Sequence, residues 1–251
     1  MAMPRSVFLT ECVPAGISVG FFDKVREIHK FGRNGDVGAT LETLWNEGGI
    51  YAYPASAITM QVSSSDVNDD AGDAGALTVE IQGLDGDYAE QTETVTLNGQ
   101  SQVATSNTYL RVFRMRVVTA GASGWNEGTI YCGTGGPTAG KPDVVYGLIE
   151  PFQNQTLMAL YTVPAGYRGV ILQTIMTSAV AKAVEGGIYI RPLGGVFNIK
   201  EYVSLISGAV ILPHTAAELV DEKSDLEMRA LAAGAGGNVS GQFEIILMEK
   251  K

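Results

Sequence analysis

The chain has 251 residues, enough for one large cored domain or two small ones. With 45% hydrophobic and 18% charged residues it is too apolar for a disordered chain, and its 31 glycines, scattered between short apolar runs, point to tight turns rather than a collagen-like period. A net charge of -10 lacks the Lys/Arg excess that a nucleic-acid surface needs, so nucleic acid is not an expected partner.

Residues 1–42 differ from the rest and read as an N-terminal arm. The run from Val7 to Phe22 is apolar but is broken by Glu11 and Pro14 and lacks a Lys/Arg-rich start, so it does not read as a signal peptide. Phe21 to Lys30 has two readings: an amphipathic helical turn or two ended by Gly32, or an extended arm laid on a neighbour. No apolar stretch approaches the ~20 residues of a membrane-spanning helix, so no membrane is expected either.

From residue 43 onward, period-two alternation dominates. Leu77 to Gln82 and Thr92 to Leu97 place apolar residues on one face and polar ones on the other, the pattern of a strand with one side in a core and one in water. Phe113, Met115 and Val117 alternate with Arg114 and Arg116; Leu226 and Met228 alternate with Glu227 and Arg229; Phe243, Ile245 and Leu247 share a face. Turn signals such as Asp85-Gly86-Asp87, Asn98-Gly99 and Gly194-Gly195 separate these runs. Many short strands with regular turns predict an all-β chain of sandwich units, jelly-roll-like or immunoglobulin-like in strand order. The Gly/Pro-rich stretch Gly133 to Pro142 predicts a linker over 134–149, between a first sandwich at 43–133 and a second at 150–251. A second short helix is open at Ala216 to Val220.

The candidate motifs have plainer readings beside them. Gly135 to Lys141 matches a phosphate-binding loop up to its lysine, but Pro142 then stands where the chemistry needs a hydroxyl on a helix start, so a linker is favoured. Asp66, Asn68 and Asp70 have calcium-loop spacing, yet Ala71 and Leu77 replace the required glycine and bidentate glutamate, so a solvated acidic loop is favoured; an irregular site through Asp69 or Asp73 stays open. His29 and His214 lie in unrelated segments, Cys12 and Cys132 form no disulfide or metal pattern, and no nucleophile elbow occurs. Trp45, Trp125, Tyr51, Tyr53 and Tyr88 read as core or interface aromatics, with sugar stacking as the other use of such rings. No catalytic, cofactor-binding or metal residue is assigned.

One ordered set of segments goes further. Ile28 to Val37, Leu44 to Pro54, Val79 to Asp85, Glu93 to Gly99, Tyr161 to Gly166, Arg191 to Phe197 and Glu222 to Leu226 together resemble a widespread family of tailed-bacteriophage virion proteins, often of marine phages. The resemblance implies a non-enzymatic particle component built of β-sandwich units. The expected role is a capsid decoration or cement protein, or a short head fibre, binding the major capsid protein. The chain would be made in the host cytoplasm and act on the virion as a homo-oligomer, with a trimer as the starting expectation. The alternative is a tail adaptor or fibre module contacting host surface glycans, with Tyr167 and Tyr202 as the residues to test. The apolar segment Met1 to Asp23 is longer than the family's usual start.

Overall fold

The computed structural model describes residues 13–234 and 236–250, and Cys12 with most of the apolar N-terminal segment lies outside them. A short helix, α1 (Val13–Ser18), precedes β1 (Val25–Val37) and β2 (Glu42–Thr43). Seven strands follow: β3 (Ile58–Ser64), β4 (Ala76–Leu84), β5 (Glu90–Thr96), β6 (Val103–Tyr109), β7 (Arg111–Ala120), β8 (Ile130–Thr134) and β9 (Val144–Ile149). The chain ends with β10 (Leu160–Thr162), β11 (Tyr167–Arg191), β12 (Asn198–Ile199), β13 (Val203–Val220), β14 (Asp225–Ala232) and β15 (Gly237–Glu249). The chain is all-β, in several sheets, as its alternation predicts.

The order β5-β4-β7 forms one sheet and β6-β3-β8-β9 another. Val79, Ile81, Val95 and Met115 of the first, with Met60, Val62, Ile130 and Ile149 of the second, are buried in the core. The sheets approach closely where β7 faces β9: a Cβ on Gly147 would lie 2.8 Å from the Met115 sulfur, so a larger residue there would need Met115 to shift.

The remaining strands form an eight-stranded sheet in which β11 changes neighbours along its length. The first part of this 25-residue strand pairs with β15, from Tyr167↔Glu249 to Ser178↔Val239. After a register break the second part pairs with β14, from Val184↔Ala232 to Arg191↔Asp225. β13 follows both parts along the other side, with the same break between Ser178 and Ala183. Gly241 of β15 faces β14, where an added Cβ would meet Met228 Sδ at 2.7 Å.

Three expectations are corrected. Val25 to Val37 is neither helix nor free arm: β1 pairs with β15 from Val25↔Met248 to Asn34↔Val239. Its inward positions are Lys30, Gly32, Asn34 and Val37, too polar a set to read as a core face. The stretch expected as a linker over 134–149 is a hairpin joining β8 to β9, which pair from Ile130↔Ile149 to Thr134↔Val144. Thr138 and Lys141 close its turn by mutual backbone bonds of 2.9 and 3.1 Å, and the glycines supply the turn geometry, with Gly135 at φ 93° and Gly140 at φ 82°. Ala216 to Val220 belongs to β13 rather than a helix. Among the described residues no helix is long and apolar enough to cross a membrane.

Candidate functional site

β14 lies between β11 and β10, and neither of its faces meets water along Asp225 to Met228. Leu226 and Met228 enter the core. The opposite face carries Asp225, Glu227 and Arg229, which alternation alone would place in solvent; instead Asp225 and Glu227 are buried. Cross-strand register sets their neighbours: Arg191 of β11 and Thr162 of β10 stand directly opposite Asp225, and Tyr189 of β11 stands opposite Glu227.

Asp225 joins the sheets. Its Oδ1 accepts from Arg111 Nε at 2.7 Å and from the Thr162 hydroxyl at 2.6 Å. Its Oδ2 accepts from Arg111 Nη2 at 3.1 Å and from Arg191 Nε and Nη2 at 2.9 and 2.6 Å. Arg111 comes from the start of β7 and also donates through Nη1 to the carbonyls of Leu110 and Pro54. Burial works against its charge, but hydrogen bonding to Asp225 and the field of that carboxylate more than offset it and hold the guanidinium above its ordinary pKa. Glu227 pairs with Arg229 and accepts from the Thr43 hydroxyl at 2.9 Å, yet burial dominates and pushes its carboxyl above the ordinary range.

Aromatic rings separate these cations in a continuous ladder. Lys223 lies 5.4 Å from the Tyr88 ring, and Arg111 lies 5.6 Å from Tyr88 and 4.9 Å from Tyr53. Arg191 lies 4.3 Å from Tyr53 and 4.6 Å from Phe197. Arg229 lies 4.3 Å from Phe197 and 5.1 Å from Tyr189. Each contact gains as water is excluded. The Tyr53 hydroxyl is buried without a hydrogen-bond partner, and burial lifts its pKa well above the ordinary value, reinforced by Glu227 and Asp225. Where the ladder reaches the surface, Tyr53 to Ala57, Tyr88, Arg191 to Gly195 and Lys223 enclose a cleft of about 750 Å³.

A second groove lies where β1 crosses β5 and β7. Lys30 is buried there, its ammonium donating to the Phe113 carbonyl and lying 5.8 Å from the Phe113 ring. Burial first, and Arg114 second, push its pKa well below the lysine range. Arg26 pairs with Glu90 across the same groove, and Arg114 Nη2 donates to the His29 carbonyl at 2.7 Å.

The sequence motifs fall elsewhere. Asp69 is buried, with Oδ1 accepting from the backbone N–H of Ala76 and Glu127 at 2.8 and 2.9 Å, and Oδ2 from the Ser64 hydroxyl and Gly128 N–H at 2.6 and 2.9 Å. A carboxylate ringed by donors ties loops together and presents no lone pair to a cation. Asp66 Oδ1 accepts from the Asn68 backbone and side chain, both at 2.9 Å. Among the described residues no cluster of three or more His, Cys, Asp or Glu side chains is placed to hold a metal ion. In the phosphate-loop match, Lys141 pairs with Glu47 at 2.6 Å and the Gly140 carbonyl accepts from Ser63 at 2.7 Å. His29 is an exposed residue of β1, and His214 on β13 lies against Glu201. Cys132 is buried, which raises its thiol pKa.

The aromatics divide. Trp45 and Tyr51 are buried, and their rings lead to Tyr53 in edge contacts of 5.0 and 4.8 Å. Trp125 and Phe152 are exposed and touch edge-on at 5.8 Å. Tyr167 packs under Arg26 at the start of β11, whereas Tyr202 is exposed just before β13. Sequence reading singled out Tyr53 and Tyr88 but not the cations between them, which come from positions 111 to 229 and have no shared local spacing.

No family model matches the chain, and no curated protein matches it. Among solved structures it is similar to the Gx strain of infectious bursal disease virus, at 10% identity and a TM-score of 0.21 over 89% of this chain and 70% of that one. It is similar also to the T13 particle of the same virus, at 12% identity and a TM-score of 0.21 over 90% of this chain and 73% of that one. Likeness this slight bears on neither fold nor function.

Proposed function

We infer that the chain is a structural protein of a bacteriophage particle, a capsid decoration or cement protein or a short head fibre that binds the major capsid protein and acts without catalysis. The observation that carries this reading is the edge formed by β13. Among the described residues that strand pairs only with β11, so its other side offers an unpaired ladder. Nearly half of the exposed large apolar residues among those described fall between Leu193 and Leu219. No Asp, Glu, Lys or Arg occurs from Tyr202 to Ala217, in a chain of net charge -10.

Edge strands that stay single usually carry charge to discourage pairing. This one carries Pro213, two register breaks against β11 and, near its end, Glu218, which pairs with Lys200. An apolar edge free of charge from Tyr202 to Ala217 lets a second copy of an acidic subunit approach without like-charge repulsion, and a homo-oligomer follows. The ordered resemblance to virion proteins and a rigid all-β scaffold support the particle role. Mass spectrometry of purified particles tests it: the chain is expected among the abundant structural proteins, and its absence would sink the reading.

A second reading, a tail adaptor or fibre module contacting host surface glycans, is supported by the open cleft at the end of the ladder. In that case the chain is expected in tail fractions rather than on shells.

A further inference from the structure

We propose that the cleft at the end of the cation–aromatic ladder binds a sugar acid, with Lys223 holding its carboxylate. The proposal goes beyond the particle role and does not depend on where the chain sits on a particle.

The first ground is charge. The cleft is lined by Arg111, Arg191 and Lys223 against the single carboxylate of Asp225. Both oxygens of Asp225 are already filled by Arg111, Arg191 and Thr162. Nearby acids are engaged as well: Asp85 accepts from the backbone of Asp87 and Ala89 in its own turn, and Glu222 holds Lys250 and the Gly166 N–H. Lys223 Nζ lies on the Tyr88 ring and, behind Lys250, lowers the Glu222 pKa through its charge, with no hydrogen bond to a described side chain, and Arg191 uses Nε and Nη2 but not Nη1. Lys223 therefore remains as a cationic donor for an anion, in a chain whose net charge is -10.

The second ground is backbone strain at the same place. Tyr88 at φ 66° and Lys223 at φ 62° both occupy the left-handed region, and neither is glycine. They come from a turn of one sheet and a turn of another and face each other at 5.4 Å. Strained residues that meet from separate elements tend to mark functional positions.

The third ground is shape. An open cleft of about 750 Å³ falls in the size range of small-ligand sites. Its other walls are Pro54, Ala55, Ala57 and the Pro192–Gly195 turn, apolar surfaces that accept the face of a ring. A lining that combines cations with apolar walls matches a ring that bears one carboxylate, the chemistry of an acidic surface polysaccharide.

The test is calorimetric titration of the full chain with glucuronate, glucose and inorganic phosphate, repeated on Lys223→Gly. Glycine adopts φ 62° without strain, so the variant removes the cation without lowering the melting temperature. The proposal expects saturable glucuronate binding, phosphate weaker by about tenfold, no glucose binding, and at least about tenfold weaker glucuronate binding in the variant. It is overturned by absence of glucuronate binding, by phosphate binding as tightly as glucuronate, or by a variant that keeps its melting temperature and its glucuronate affinity.

Discussion

Arg111 opens β7 and Asp225 opens β14, and across 114 residues of chain their side chains meet in two parallel hydrogen bonds of 2.7 and 3.1 Å. Both groups are buried, so the pair replaces lost hydration with a fork-to-fork contact of fixed geometry. It ties the β5-β4-β7 sheet to β14 of the eight-stranded sheet.

Asp225→Ala leaves Arg111 and Arg191 without their shared carboxylate. Breaking one side of a buried pair costs about 3–5 kcal/mol. Urea unfolding should show a loss of that order, while Asp221→Ala, at an exposed ion pair with Arg168, should change stability by less than about 1 kcal/mol. Equal effects would remove the junction's claimed weight.

Glu227 has its folded pKa raised by burial, above the ordinary 4.5. Between those two values the folded chain holds the extra proton, so this group makes stability fall as pH rises through the window. Glu227→Gln keeps hydrogen-bonding atoms for Thr43 and Arg229 and removes the charge. The variant should gain on the wild type as pH rises above 4.5, and the gap should close again below it. A gap independent of pH would contradict the assignment.

Lys30 shows the opposite sign. Its folded pKa is pushed well below 10.5, so between the two values the unfolded chain holds the extra proton and stability rises with pH. Lys30→Met should abolish that slope in chemical denaturation between neutral and alkaline pH. It should also be more stable at neutral pH, by on the order of 1–4 kcal/mol.

Gly140 makes the hairpin correction testable. A Cβ there would sit 1.8 Å from the Ser64 carbonyl oxygen, at φ 82°. Gly140→Ala should cost more than the roughly 1–3 kcal/mol of left-handed strain alone, whereas in a loose linker it would cost almost nothing. A melting temperature unchanged in Gly140→Ala would contradict the hairpin.

The strands that read correctly in the sequence have one wet face. In β4, Val79 and Ile81 point into the core while Thr78 and Glu80 point out, so alternation and burial agree. β1 escaped because its inward face carries Lys30, Gly32 and Asn34, which resemble a solvated face until their partners are known. β14 misled in the other direction: Asp225 and Glu227 look like surface residues, but arginines from β7 and β11 bury them. The ladder was illegible for the same reason, since its rungs come from residue 53 to residue 229 and only tertiary packing interleaves them. The Gly/Pro stretch was visible as a turn signal, but its composition cannot distinguish a turn within a hairpin from a link between units.

The apolar edge predicts self-association. Sedimentation of the purified chain should show a homo-oligomer, and Ile206→Lys with Ile211→Lys, both exposed on β13, should give a folded monomer. A wild-type chain that stays monomeric at high concentration would remove the edge as the assembly contact.

The particle role is tested most directly by cryo-electron microscopy of purified phage with the chain located in the density. Many symmetric copies seated on the shell, in contact through β13, are the predicted result. Particles in which the chain is absent would contradict it.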